Sequence, residues 1–209
     1  LLRIALPSGI ALFTCVALFL PMIRHRIQHG TGSGFVIADV KDPVGRLVGY
    51  GMTLNSNFVG VHAVLFAIFG RAPLSVVVVP GVVGYVGIAL MALATTLIVT
   101  SQAELGRNWR MCIDENRTDL VTSGLYRFVR NPIYSGTILL LLGVLAIAPG
   151  PWAVLLVVFG TYNVALQARL EEAHLVKLHG ERYLAYATKV GRFVPGVGRV
   201  SASAYEAAT

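Results

Sequence analysis

Between residues 74 and 101 the chain carries no Asp, Glu, Lys, Arg or His. A run of that length can cross the hydrocarbon core of a bilayer, where backbone polar groups must be paired within the segment, so it reads as a helix. Four other apolar runs reach or approach the roughly 17–25 residues that a span needs, at residues 4–23, 54–69, 133–148 and 152–168. Charged residues make up only 13% of the chain, against roughly 25% in soluble domains, too few to cover a soluble surface. The expected fold class is therefore all-α: a polytopic membrane protein with about five transmembrane helices.

The short second, fourth and fifth runs imply tilt or partial burial in protein. Gly81, Gly84 and Gly87 lie three apart in the third run and predict close helix packing. Between the first two runs, the Gly/Ser cluster at 30–34 reads as loop, with an interfacial piece at 43–50. Pro149-Gly150-Pro151 predicts a tight turn that makes the last two runs an antiparallel hairpin. After Ala168 the pattern turns amphipathic, with Leu170, Leu175, Leu178, Tyr183 and Tyr186 interleaved among Glu171, Glu172, Lys177, Glu181 and Arg182. That predicts a C-terminal helix lying on the interface. The first run, flanked by Arg3 and by Arg24-His25-Arg26 with no small-residue cleavage pattern, is read as a retained helix.

Five spans place the loop at 24–53, the loop at 102–131 and the tail on one side. Of the 17 Lys and Arg residues, all but Arg3 and Arg71 fall there. The bias assigns that side to the cytoplasm, and it accounts for the net charge of +7 without nucleic acid. Cys15 and Cys112 form neither a disulfide framework nor a metal spacing. His25 and His29 are four apart but lack the accompanying carboxylate of a helical zinc motif, so no metal is expected.

Two constellations on the cation-rich side can carry chemistry. In Arg130-Asn131-Pro132-Ile133-Tyr134-Ser135-Gly136, Pro132 suits a first helical turn and restricts Asn131 to extended backbone, which makes Asn131 a candidate N-cap. The free N–H groups of that turn would receive an anionic or polar ligand group. The plainer alternative makes Arg130 an anchor and Tyr134 an interfacial aromatic. The second constellation is Arg169, Glu171 and Glu172. Adjacent helical carboxylates point about 100° apart, so only Glu172, three residues on, shares a face with Arg169. An exposed ion pair is the alternative reading there.

The block LVTSGLYRFVRNPIYSG at 120–136, the Pro/Gly-joined hairpin and the block ARLEEAHLVKLHGERYLAYATKVGRFVP resemble, in that order, the C-terminal half of the isoprenylcysteine carboxyl methyltransferase family and its phospholipid methyltransferase relatives. The resemblance covers roughly residues 105–195. It implies a membrane enzyme using S-adenosylmethionine, with 1–104 as an N-terminal membrane region and 105–209 as the catalytic region. It further implies a cofactor pocket at Asp119, Leu120, Val121, Tyr126, Asn131, Pro132, Ile133 and Tyr134, with one glutamate of the Glu171-Glu172 pair, Glu171 taken first, on the cofactor's amino group. Arg130, Arg169 and Glu172 then stand as the catalytic set. The implied location is a bacterial inner (plasma) membrane with the site facing the cytoplasm. Two departures stand out: isoprenylcysteine enzymes usually carry His where Asn131 stands, and His179-Gly180 replaces the family's Phe-Gly.

The acceptor implied is lipophilic, dissolved among the membrane lipids. A prenylated or lipid carboxylate is already ionised and needs only cationic orientation. A phospholipid amine or a small thiol needs a base, for which Glu171 or Glu172 would serve. Sterol reductases share this kind of C-terminal half but bind a nicotinamide cofactor and are longer. A transport role predicts ionisable residues in the spans, and the third run has none.

Overall fold

The structure is a computed structural model that describes residues 1–29, 42–72, 75, 80–106 and 119–201, without the side chains at 24–26, 28 and 29. The Gly/Ser cluster, the imidazoles of His25 and His29, and the loop bearing Arg107, Arg110, Cys112 and Arg117 lie outside the described residues. Among those described, the fold is all-helical. It comprises α1 (Leu2–Phe13), a π-helical stretch (Thr14–Phe19), α2 (Leu20–His29), α3 (Pro43–Phe69), α4 (Gly81–Leu105), a 3-10 turn (Gly124–Arg127), α5 (Pro132–Ile147), α6 (Pro151–His179) and α7 (Glu181–Lys189).

Four helical stretches are long and apolar enough to cross a membrane: Leu2–Ile23, Pro43–Phe69, Gly81–Leu105 and Pro151–His179. The fifth, α5, is shorter at 16 residues, or about 24 Å. It is the most enclosed helix of the seam, with Gly136, Leu140, Leu141, Gly143, Val144 and Ile147 buried. Leu12, Val64, Ile68, Val82, Val86, Leu155 and Val158 remain exposed on the outer faces. Large apolar side chains pointing outward in this number are what lipid, and not water, accommodates.

Two boundaries differ from the sequence reading. The piece at 43–50 is not a separate interfacial segment but the first turns of α3. Pro43 fills N1 and the Asp42 carboxylate accepts from the Gly45 N–H at 2.6 Å. Polar residues such as Thr53, Asn55 and Ser56 dilute the hydropathy there without interrupting the helix. The amphipathic stretch after Ala168 likewise continues α6 to His179, and only then does Gly180, at φ 52°, break the chain into α7.

With lipid on the outside, packing holds the helices together more than apolar burial does. The α4–α5 seam shows how. A Cβ on Gly87 would fall 2.7 Å from the Gly143 carbonyl, and one on Gly143 would fall 2.9 Å from the Gly87 carbonyl. Gly84 instead receives Leu2 of α1, while a Cβ on Gly81 would meet nothing within 4 Å. Of the three glycines expected to pack, Gly81 does not. Around the seam, Leu6, Val59, Phe66, Met91, Leu140, Leu141, Val144, Ile147 and Leu156 form the core. At its far end the buried His62 of α3 donates Nε2–H to the Ala148 carbonyl at 3.0 Å, satisfying a carbonyl that α5 leaves open. The opposite end of α5 carries the polar residues singled out above.

Candidate active site

Beyond the 3-10 turn the chain at Val129, Arg130 and Asn131 runs beside the chain after α7. Asn131, at φ −127° and ψ 61°, is non-helical but falls short of the extended backbone expected before proline, because its N–H and its side-chain amide are both held by partners in the tail and α6. The Arg130 N–H donates to the Gly191 carbonyl at 2.8 Å and the Asn131 N–H to the Arg192 carbonyl at 3.1 Å, beside a parallel bridge between Val129 and Gly191. The Ser135 hydroxyl adds a bond to the Phe193 carbonyl at 2.6 Å. Asn131 occupies the N-cap position of α5, but its side chain makes no capping bond. Its amide donates instead to Glu172 Oε1 at 2.8 Å. With Nδ2 held on a charged acceptor, a bond roughly twice as strong as a neutral one, the amide is not turned to present its Oδ1 to the N–H groups of the first turn.

Glu172 is the centre of the first of two networks. Arg130 reaches it through Nε at 3.2 Å and Nη2 at 3.5 Å, and Arg192 does so through Nη2 at 2.7 Å and Nε at 3.1 Å. Arg130's remaining N–H directions go to the carbonyls of Ala187, Val190 and Gly198. All five donors are thus taken within the chain, and the side chain is only 1% exposed. A buried guanidinium tolerates nothing less, since each unmet donor would carry its full desolvation penalty. The expected face-sharing partner, Arg169, is not Glu172's cation. It stays exposed on α6, where an i, i+3 pair gains only a few tenths of a kcal/mol.

The second network forms around Glu171, on the adjoining face of α6. The Tyr134 hydroxyl donates to Glu171 Oε1 at 2.5 Å and Gln167 Nε2 donates to the same oxygen at 3.2 Å. Among the described residues, both hydrogen bonds to this carboxylate fall on Oε1. Tyr126, buried in the 3-10 turn, flanks the network. Its pKa is pushed well above the ordinary phenol value, by burial first and then by the charges of Glu171 and Glu104. Its carbonyl accepts the Tyr186 hydroxyl of α7 at 2.5 Å, and burial pushes Tyr186 up to about 12. Both phenols therefore remain neutral near pH 7.

The structure gathers Arg130, Asn131 and Glu172 into one network and Tyr134 and Glu171 into the other, with Pro132 and Ile133 in the turn between them. Leu120 and Val121 are half-buried in the chain leading to the 3-10 turn, and Asp119 is exposed. Sequence reasoning missed Arg192 and Gln167. Nothing distinguishes Arg192 in sequence from the other tail cations. Gln167 carried a signal, an amide near the end of an apolar run and one helical turn before Glu171.

No curated protein matches the chain. The family model described as phospholipid methyltransferase matches residues 82–182. That stretch takes in α4, the 3-10 turn, α5 and α6, and with them both glutamates, Tyr126, and the run from Arg130 to Tyr134; Arg192 lies beyond it. A methyltransferase family implies S-adenosylmethionine use in general. Over residues 82–182, just under half of its length, the chain is similar to the phospholipid methyltransferase family, and that likeness together with the apolar helices supports a membrane methyltransferase.

Proposed function

We propose that the chain uses S-adenosylmethionine to methylate a lipophilic acceptor at the end of α5 and α6 where Tyr134 meets Glu171. The observation that carries this reading is the difference between the two neighbouring glutamates. Glu172 is filled by Arg130, Arg192 and Asn131, whereas Glu171 keeps Oε2 open among the described residues. An open carboxylate oxygen, oriented by a phenol and an amide on its partner oxygen, fits the ammonium of the cofactor's methionyl portion. The Ile133 and Tyr134 N–H groups at the start of α5 suit the anionic end. Asp119, Leu120, Val121, Tyr126, Asn131 and Pro132 make up the rest of the proposed pocket.

When bound, the cofactor supplies a methyl group on a positively charged sulfur, open to in-line displacement. The chain's contribution is then chiefly placement, which can supply much of the barrier reduction in such a reaction. Arg130 and Glu172 act in this reading as positioning residues that hold α5, α6 and the tail in register. Arg169, exposed and unburdened by Glu172, is the cation proposed to orient an acceptor carboxylate. The excess of Lys and Arg on this side supports a site that faces the cytoplasm.

A lipophilic carboxylate of the isoprenylcysteine type is the acceptor proposed first, because it is ionised and asks only for that cation. A phospholipid amine is the second reading, favoured by the description of the matched family. An amine must lose a proton before it attacks, so this reading asks for a base besides the glutamate that holds the cofactor. Purified protein in nanodiscs is expected to bind tritiated S-adenosylmethionine, with Glu171→Gln and Tyr134→Ala weakening the binding. Failure of the unaltered protein to bind it in several lipids would end the proposal, and nicotinamide binding would replace it with a reductase. Mass spectrometry of membrane lipids incubated with enzyme and cofactor then identifies which class gains a methyl group.

A further inference from the structure

The last turn of α4 presents three polar contacts, two to the 3-10 turn and one to the π-helical stretch. The Ser101 carbonyl faces the Tyr126 hydroxyl at 3.5 Å, Gln102 Nε2 donates to the Ala17 carbonyl at 2.8 Å, and Glu104 Oε2 accepts from the Leu125 backbone N–H at 2.8 Å. Ala17 lies in the π-helical stretch, where a displaced backbone ladder admits an outside partner. The turn that carries Tyr126 is thereby tied to a platform whose other side is the first helix of the chain.

The geometry points to Glu104 as a positioning residue for the Tyr126 wall of the cofactor pocket, acting through the Leu125 N–H and not by touching the cofactor. The inference rests on the proposed function for the pocket but not for the contact itself. A four-residue 3-10 turn has poor internal hydrogen bonding and opens with unpaired N–H groups, so it needs an outside acceptor to hold one geometry. Its own N-terminal residue, Ser123, makes no side-chain capping bond. Glu104 fills that place from another helix.

Gly124 is shaped for the same contact. Its φ is 59°, and a Cβ there would fall 2.2–2.6 Å from the Glu104 carboxylate. A side chain at this position would push the carboxylate off the Leu125 N–H and strain the left-handed backbone besides. The carboxylate and the missing Cβ are two halves of one latch. From the other side the Tyr186 hydroxyl holds the Tyr126 carbonyl, so the phenol beside Glu171 is set between α4 and α7.

The test compares Glu104→Ala, Glu104→Gln and Gly124→Ala in the full chain in nanodiscs. The first readout is amide hydrogen exchange without cofactor, and the second is the Kd for tritiated S-adenosylmethionine. E104A and G124A are expected to raise exchange selectively in residues 123–130, leaving α5 and α6 protected, and to weaken binding about tenfold, the loss typical of one charge-assisted hydrogen bond. E104Q keeps an acceptor oxygen and should restore most of the protection and affinity. Unchanged exchange at 123–130 in E104A overturns the proposal. So does exchange rising equally throughout α5 and α6, which is the pattern of general destabilisation. If the unaltered protein binds no S-adenosylmethionine, the pocket assignment fails while the exchange experiment still decides whether the latch exists.

Discussion

Replacing Glu172 by alanine removes the acceptor that two arginines and an asparagine share. Arg130, 1% exposed in its side chain, would keep its three carbonyl partners but lose both bonds to the carboxylate. Breaking a buried ion pair from one side typically costs about 3–5 kcal/mol, most of it the stranded charge. Arg192→Ala perturbs the same centre differently. Arg192 is 30% exposed, and Glu172 would retain Arg130 and Asn131, so about 1–2 kcal/mol is expected after solvent screening. For a chain of this length 1 kcal/mol corresponds to roughly 2–4 °C in Tm. Thermal unfolding in one detergent should therefore show E172A falling by about 6–20 °C and R192A by about 2–8 °C, and the double variant should fall by less than the sum because the residues share one network. Equal shifts for E172A and R192A, or an E172A protein as stable as the parent, would show that the network does not hold the tail to α5 and α6.

Other parts of the bundle give independent checks. Gly143→Ala should cost about 1–3 kcal/mol by forcing apart the α4–α5 seam, while Gly81→Ala, facing open space, should stay within about 0.5 kcal/mol; thermal unfolding of the pair decides this. His62→Leu removes the donor to the Ala148 carbonyl and should cost about 1–3 kcal/mol. Because it acts at the far end of α5, its effect on S-adenosylmethionine affinity, measured by tritiated binding, should stay below about twofold. Tyr186→Phe deletes one hydrogen bond to the Tyr126 carbonyl and should lower stability by about 1 kcal/mol. Raised amide exchange in residues 123–130 of that variant is the signature expected if α7 helps set the turn.

What the sequence disclosed divides by the range of the interaction. Apolar run length is a local property, so the helices and the Pro149-Gly150-Pro151 turn were legible, and Pro132 marked the start of α5 to the residue. Helix ends governed by a single residue were less so. Asp42 capping α3 and Gly180 ending α6 hide inside stretches whose average composition says something else. The candidate site was located by local motif, yet its partners were misassigned wherever they came from far along the chain. Helical spacing offered Arg169 to Glu172, and the fold instead supplied Arg130 from 42 residues before it and Arg192 from 20 residues after it.

That substitution has a physical basis that bears on how the site is built. A surface pair three residues apart needs no tertiary structure and yields little. A carboxylate turned inward from the same helix is tolerable only where the fold delivers enough donors to match it. Glu172 faces the side on which α7 and the tail close over α5, so its pairing can form only once the whole cation-rich end has assembled. Glu171, rotated about 100° around α6, accepts hydrogen bonds from the first turn of α5 and from a neighbour on its own helix, with Tyr126 of the 3-10 turn beside it. Among the described residues both bonds fall on one of its oxygens. Two identical residues side by side thus meet different partners through helix rotation alone: the one facing more of the chain is saturated by it, and the one facing less is bonded, among the described residues, through a single oxygen.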